Sequence, residues 1–242
     1  MKNRIPEISL RKAAIVAGLG IVALAILGGF AYGFVFQSLV VSGDATATAN
    51  NIKTNETLFH IGIFAWLLNF IVDVVVAWAL YILLKPVNKS LSLLTAWLRV
   101  VYSAIFGAAL LNFVIVLILL SGVDYLTVFG TDQLYALALL FLNAFDGIFS
   151  IGLVVFGLHL FALGYLVFKS GYIPKILGVL LFLASLGYLI TSLASVFLSN
   201  YENYKTITES IFIVPMIIGE LGLGLWLLIK GGKNVPMEEL VK

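Results

Sequence analysis

Apolar residues dominate six long stretches of the chain, and charged residues gather between them. The longest stretch without a charge runs from Ala13 to Gly43, well past the roughly 20 residues that cross the hydrocarbon core as a helix. A helix of a soluble protein shows a polar face at the helical period, whereas these stretches are apolar on every face. The pattern therefore predicts transmembrane helices.

The predicted fold is an all-α polytopic membrane helix bundle that forms a single integral membrane domain over residues 1–242. The fourth stretch is longer than a bilayer needs, so its helix either tilts and protrudes or is preceded by a separate interfacial piece at Asp124–Tyr135. The six predicted spans are Ala13–Val40, Thr57–Leu84, Leu93–Leu120, Tyr135–Phe168, Ile176–Leu198 and Ile211–Ile229.

Composition agrees with a membrane protein. Hydrophobic residues make up 62% of the chain and charged residues 11%, compared with about 25% charged in soluble domains. The net charge of +2 does not indicate a nucleic-acid partner. The absence of cysteine excludes disulfides, thiolate catalysis and cysteine-ligated metals. Membrane lipids are the expected surroundings, and nothing in the sequence indicates a homo-oligomer.

Basic residues lie almost entirely on one side of the predicted spans. Since Lys and Arg accumulate in cytoplasmic loops, both termini are predicted to be cytoplasmic, and the opposite side carries only Lys53 and Lys205. The residues on the predicted cytoplasmic side are Lys2, Arg4, Arg11, Lys12, Lys85, Lys89, Lys169, Lys175, Lys230, Lys233 and Lys242.

The predicted external segment Gly43–Ile52 carries a repeat of Ala and Thr after Asp44. An Asp at this position can cap a short helix, so we expect a helix on the membrane surface, with a role as a binding lid as the alternative. In the first span, Gly29 and Gly33 form a pair of small residues typical of close helix packing.

Four charged residues lie inside the predicted spans: Asp73, Arg99, Asp146 and Glu220. Each costs about 2.5–3.5 kcal/mol at mid-membrane on insertion scales. They are therefore expected to point into the bundle, to pair with one another or to reach water.

Three of these charges are predicted to share one layer. Asp73, Arg99 and Glu220 each lie about 15–18 Å along their helices from the nearest cytoplasmic lysine. Arg99 can pair with either carboxylate, and the short connection between the second and third spans favours Asp73. If both acids are ionised, the surplus negative charge requires a proton or a cation. The layer is either a structural clamp or a functional site.

Asp146 is predicted in the other half of the membrane. It belongs to a polar-and-small face of the fourth span with Asn143, and Asn69 and Asp73 belong to a similar face of the second span. Such faces either pack closely or line a cavity. The candidate cavity consists of Asp73, Arg99, Glu220, Asp146, Asn69 and Asn143.

His60 and His159 lie at different depths. Without cysteine nearby, two such histidines do not predict a transition-metal or haem site, and no cofactor is expected. His159 shares the depth of Arg99 and is expected to bond a neighbouring helix.

Several stretches of the chain together resemble a known family. They are Arg11–Ala14, Val41–Ile52, Leu58–Ile63, Leu80–Asn88 and Gly164–Leu181. The family they resemble is a prokaryotic membrane family known as domain of unknown function 4386. The resemblance implies a multi-helix membrane architecture and a prokaryotic plasma membrane, and it supplies no catalytic residues.

The sequence leaves three hypotheses for function. In the first, the bundle binds or passes a small ligand or ion through the polar cavity, because polar groups are spread over both halves of the membrane. In the second, it is an intramembrane enzyme on a lipid-like substrate, with carboxylates as acid and base. In the third, it is an accessory or scaffold protein without a ligand.

Overall fold

The structure is a computed structural model that describes residues 8–233. Lys2, Arg4 and Lys242 of the predicted basic side lie outside the described residues. Within residues 8–233 the chain is helical, and six of the helices are long and apolar enough to cross a membrane. The helices are α1 (Leu10–Leu39), α2 (Ala45–Thr54), α3 (Glu56–Leu84), α4 (Lys89–Leu120), α5 (Thr131–Lys169), α6 (Lys175–Phe197) and α7 (Lys205–Ile229). The predicted polytopic helix bundle is confirmed, with α2 as the short additional helix.

Local chemistry sets the helix ends. Pro86 lies two residues beyond the end of α3, as expected for a residue that lacks a backbone N–H. The side chain of Asn88 then caps α4 by accepting from the N–H of Leu91 at 2.9 Å. Asp44 caps α2 by accepting from the N–H of Ala47 at 2.8 Å, so the predicted cap is confirmed.

The fourth span combines both of its predicted arrangements. Asp124–Leu126 forms a separate short 3-10 turn. Helix α5 then starts at Thr131, earlier than predicted, and continues for 39 residues without a break. At 1.5 Å per residue it is about 58 Å long, so it extends beyond the hydrocarbon core or tilts within it.

The six long helices form a closed ring. Each packs against the long helix that precedes and follows it in the chain, and α1 packs against α7 to complete the circle. Helix α2 packs mainly on α5 at the end of the ring where the first span finishes. We call that end the distal end, and the opposite end, which carries Arg11, Lys85, Lys89 and Lys230, the basic end.

At the basic end, Arg11 fastens α1 to α7. Its Nη1 donates to the carbonyl of Leu227 at 3.1 Å and to that of Gly231 at 2.8 Å, and its Nη2 donates to Leu228 at 2.6 Å. Leu227 and Leu228 lie in the last turn of α7 and Gly231 lies two residues beyond its end, so Arg11 binds the helix where its carbonyls run short of intrahelical donors. Farther along the interface, a Cβ on Gly18 would lie 2.7 Å from the carbonyl oxygen of Gly224. The two helices are therefore in backbone contact in this half.

Toward the distal end the same two helices separate. Residues Gly29–Phe36 of α1 are π-helical and pack on α3, while the distal part of α7 packs on α6, where Phe212 lies against Gly187. A Cβ on Gly29 or Gly33 would meet no atom of the described part of the chain within 4 Å. The predicted packing role of these glycines is therefore wrong. They border an opening between α1 and α7, which we call the mouth.

Helix α2 allows a direct test of orientation, and we expect the distal end to be external. The chain has no natural cysteine, so a single introduced thiol reports its own side. Thr46 is exposed on α2, whereas its neighbour Thr48 is buried. A Thr46→Cys variant should react with a membrane-impermeant maleimide in intact cells. Ser90→Cys, exposed at the basic end, should react only after the cells are opened, and the reverse pattern would invert the topology.

Candidate functional site

A buried ion pair joins α3 to α4. Arg99 donates to Oδ1 of Asp73 from Nε at 2.9 Å and from Nη2 at 2.5 Å. Arg99 is 4% exposed and Asp73 2%. Because an isolated charge is costly in lipid, each residue offsets the cost of burying the other. The predicted pairing of Arg99 with Asp73 is confirmed.

Two further side chains complete this pair. Ser103, one helical turn from Arg99, donates to Oδ2 of Asp73 at 2.5 Å. His159 on α5 lies with Nε2 3.2 Å from Nη1 of Arg99 and Nδ1 2.8 Å from the carbonyl oxygen of Thr95. A neutral ring that donates from Nδ1 and accepts at Nε2 satisfies both contacts. The expected bond from His159 to a neighbouring helix is confirmed.

Glu220 has a different partner. The hydroxyl of Tyr188 on α6 donates to its Oε1 at 2.8 Å. Among residues 8–233, Glu220 forms no salt bridge. When residues are counted from the nearest cytoplasmic lysine, Glu220 lies at the same depth as Arg99. Depth alone does not specify which helices are adjacent. The carboxyl group of Glu220 therefore has Tyr188, and no basic side chain, as its partner among the described residues.

Aromatic rings connect the ion pair to Glu220. The guanidinium of Arg99 lies over the ring of Phe156, 5.3 Å from its centre. Phe156 in turn contacts Tyr102 at 4.8 Å and the ring of Tyr188, edge to face, at 5.1 Å between centres. A series of ring contacts therefore runs from the ion pair to Tyr188, the partner of Glu220.

These residues surround a cavity of about 590 Å³ inside the ring. All six membrane-spanning helices contribute to it, and it opens at the mouth, where Ile213 and Ile217 of α7 are each 50% exposed. Most of the wall is apolar. The polar lining consists of Tyr32, Asn69, Asp73, Arg99, Tyr102, Tyr188, Thr191 and Glu220.

Asn69 lines the cavity while holding α3 against α1. Its Nδ2 donates to the carbonyl of Leu24 at 2.9 Å. Gly28 lies opposite, where a Cβ would be 3.4 Å from that same nitrogen. The buried ring of Trp66 lies one turn away, and its indole N–H has no hydrogen-bond partner among residues 8–233. Asn69 therefore fixes the wall of the cavity, which Trp66 also lines.

The structure does not bring Asn143 and Asp146 to the cavity. Both are exposed on α5 and absent from its lining. At their level Phe145 takes the interior position, 3% exposed and stacked on Phe149 at 5.6 Å. Asp146 follows Phe145 and is rotated about 100° from it around the helix, which turns its side chain away from the interior.

The surroundings of the two histidines bear on the question of a metal site. No group of three His, Asp or Glu side chains suited to a metal ion occurs in the part of the chain that the structure describes. His60 is exposed, and its Nδ1 lies 2.9 Å from the carbonyl oxygen of its own helix at Glu56. The prediction of no metal and no cofactor stays a prediction.

Three residues of this site were missed by sequence reasoning. Ser103 and Tyr102 follow Arg99 by about one turn, so helical spacing alone indicates that they share its face. Tyr188 lies at a depth similar to that of Glu220 when counted from Lys175, at 1.5 Å per residue. The sequence prediction compared the depths of charged residues only and therefore overlooked this tyrosine.

Comparison with known proteins identifies relatives without an assigned activity. The family model described as "Domain of unknown function (DUF4386)" matches residues 16–231. An uncharacterized protein of Archaeoglobus fulgidus is 38% identical over 183 residues, which cover 75% of this chain and 90% of that protein. No solved structure matches.

Proposed function

This chain belongs to the family described as domain of unknown function 4386, and from that premise we propose that it binds a small amphipathic ligand that enters the cavity sideways from the lipid. The observation that carries the proposal is a cavity with largely apolar walls, a set of polar side chains that includes Glu220, and a mouth between two transmembrane helices. Its volume of about 590 Å³ lies within the range of small-molecule sites, roughly 300–1,000 Å³. The apolar chain of the ligand would contact the apolar walls, and its polar head would reach the polar side chains.

Binding is favoured over passage through the membrane. A path across the membrane needs polar groups in both halves of the bilayer. The sequence predicted Asp146 as the polar group of the distal half, but Asp146 lies outside the cavity. In the basic half, α1 and α7 are in backbone contact at Gly18 and Gly224, and Arg11 fastens their ends. The cavity is consequently a pocket closed toward the basic end.

The enzyme hypothesis has less support. Acid–base chemistry with carboxylates needs two that are free to exchange protons with a substrate. Both oxygens of Asp73 already accept hydrogen bonds, one from Arg99 and the other from Ser103. Glu220 is then left as a single carboxylate, which is sufficient to recognise a ligand.

Trp66 provides a fluorescent test. It lines the cavity and is otherwise buried, and Phe can replace the other tryptophans, Trp78, Trp97 and Trp226. In neutral detergent, ω-bromoundecanol, ω-bromoundecanoate and ω-bromoundecyl-trimethylammonium share one brominated chain and differ in the head. Bromine quenches indole fluorescence on contact, so at least one probe should quench Trp66 saturably. No saturable quenching by any of the three would refute ligand binding.

Two variants determine whether the probe enters through the mouth. A leucine at Gly29 has free space for its Cβ and would fill the opening. Gly29→Leu should therefore weaken saturable quenching about tenfold or more, since a blocked pocket loses the apolar contact of a whole chain. Gly147 on α5 also has free space and lies outside the lining. Gly147→Leu is the matched control and should leave quenching unchanged.

We also propose that the membrane is a prokaryotic plasma membrane with the basic end in the cytoplasm. The archaeal relative supports the first part, and the gathering of Lys and Arg at one end supports the second. In this orientation the mouth faces the outer half of the bilayer.

A further inference from the structure

The charges that line the cavity do not balance. Asp73, Arg99 and Glu220 are its charged lining residues. Arg99 gives two hydrogen bonds to Asp73 and lies within bonding distance of His159, so its charge is already matched by one carboxylate. Glu220 lines the cavity without a basic partner among the described residues, so its ionised form adds a surplus negative charge. A ligand that brings a positive charge would complete the site.

Glu220 is placed to meet such a ligand. Tyr188 holds its Oε1 from one side, and the second carboxylate oxygen accepts no hydrogen bond from any residue between 8 and 233. A carboxylate oxygen has room for more than one donor. The fixed oxygen orients the group, and the other is available to the cavity.

The hydrogen bond to Tyr188 does not by itself require a carboxylate. Glutamine in this position would accept the same bond with its amide oxygen and would avoid the cost of a charge within a membrane span. A structural link between α6 and α7 therefore does not require a side chain that can ionise. Recognition of a cation does.

The rings beside Glu220 suit a cation as well. Tyr102, Phe156 and Tyr188 line the cavity, and the ring of Phe156 contacts both tyrosine rings. The faces of such rings carry negative potential and attract ammonium groups, with larger effect where water is excluded. Arg99 already uses Phe156 in this way at 5.3 Å. One carboxylate with several ring faces resembles the arrangement that binds quaternary ammonium ligands in other proteins.

We propose that the ligand of the cavity carries a cationic ammonium head, which Glu220 and the rings of Tyr102 and Tyr188 hold while its apolar chain extends toward the mouth. This inference rests on the proposed function, because it names the chemical class of the ligand that enters there. The bond from Tyr188 keeps the carboxylate turned toward the head.

The probe series distinguishes the two proposals. In the variant with Trp66 as its one tryptophan, ω-bromoundecyl-trimethylammonium should quench at concentrations about tenfold lower than ω-bromoundecanol, and ω-bromoundecanoate should bind least. The expected ratio reflects one charge-assisted contact in a water-poor site. Equal or stronger binding of the alcohol or the carboxylate would overturn the cationic head and leave ligand binding intact. Failure of all three would overturn both.

The Glu220→Gln variant tests the contribution of the negative charge of Glu220 to binding. The amide keeps the shape of the side chain and its bond to Tyr188, so the fold and the binding of ω-bromoundecanol should be retained. Binding of the trimethylammonium probe should weaken about tenfold. Asp146→Asn makes the same chemical change outside the cavity and should affect neither probe. If Glu220→Gln left the affinity for the cationic probe unchanged, the assignment of Glu220 would be wrong.

Tetramethylammonium, which has the head without the chain, separates a membrane amphiphile from a free cation. As a competitor it should displace the cationic probe only at concentrations about a hundredfold or more above those of the probe, since it lacks the apolar contribution of the chain. Displacement at equal concentration would assign the site to a soluble cation and overturn the chain-bearing ligand.

Discussion

Replacement of Arg99 by Ala is expected to destabilise the protein by about 3–5 kcal/mol, as seen when one partner of a buried ion pair is removed. Asp73 is 2% exposed and would keep only the hydrogen bond from Ser103. The ring of His159 would also lose the guanidinium beside its Nε2. The free energy of unfolding, measured by denaturant titration in detergent, tests this value. Lys89→Ala, at an exposed position, should change it by less than about 0.5 kcal/mol.

Removing both charges should recover most of this loss. In Arg99→Met with Asp73→Leu, no charge remains to be buried, and apolar side chains of similar volume replace the pair. Recovery should be incomplete because His159 still lacks its former neighbour. A double variant as unstable as Arg99→Ala alone would show that the destabilisation does not come from an unpaired carboxylate.

The same double variant shows whether the pair serves binding. The sequence left a structural clamp and a functional site as alternatives for this layer. If the double variant binds ω-bromoundecyl-trimethylammonium as the parent does, the pair acts as a clamp and recognition rests on Glu220 and the rings. A loss of affinity in a folded double variant would include Asp73 and Arg99 in the binding site.

Leucine at Gly18 is expected to cost about 3 kcal/mol, the upper part of the range for overpacking. Its Cβ would lie 2.7 Å from the carbonyl oxygen of Gly224 and 2.9 Å from the backbone nitrogen of Leu228. Backbone atoms cannot rotate away as a side chain can, so α1 and α7 would have to separate. Thermal unfolding in detergent, with the denaturant titration as a second measurement, tests this prediction.

Gly33→Leu is the matched control on the same helix. Its Cβ meets nothing within 4 Å, and a leucine has higher helix propensity than glycine, so stability should stay the same or rise slightly. Equal losses from Gly18→Leu and Gly33→Leu would contradict the backbone contact that closes the ring at the basic end.

The sequence predicted well those features that depend on length, charge and local bonding. Six spans follow from apolar runs, and the cap at Asp44 follows from a side chain that accepts a hydrogen bond from a backbone N–H three residues on. The pairing of Arg99 with Asp73 followed from two facts: equal depth, and a short connection that makes their helices antiparallel neighbours. In each case the partner lies close in the sequence or its helix is adjacent by connectivity.

The remaining features depend on how distant helices meet. The closing of the ring by α1 and α7 is not encoded in any short connection, so Glu220 was given Arg99 as a possible partner and not Tyr188. Asp146 was placed in the cavity because its polar face was assumed to point inward, whereas Phe145 occupies the interior there. Gly29 and Gly33 look like packing glycines in sequence, and only the separation of α7 shows that they border an opening.

The mouth occupies only the distal half of the interface between α1 and α7, so the cavity would exchange with a single leaflet of the bilayer. In the proposed orientation this is the outer leaflet, and a cationic amphiphile made in the cytoplasm would first have to cross to the other side. Occupancy would then report the composition of one monolayer rather than that of the whole membrane. For vesicles that contain the protein, the same amount of amphiphile added outside or trapped inside should fill the site at different rates, separated by the time the molecule needs to flip.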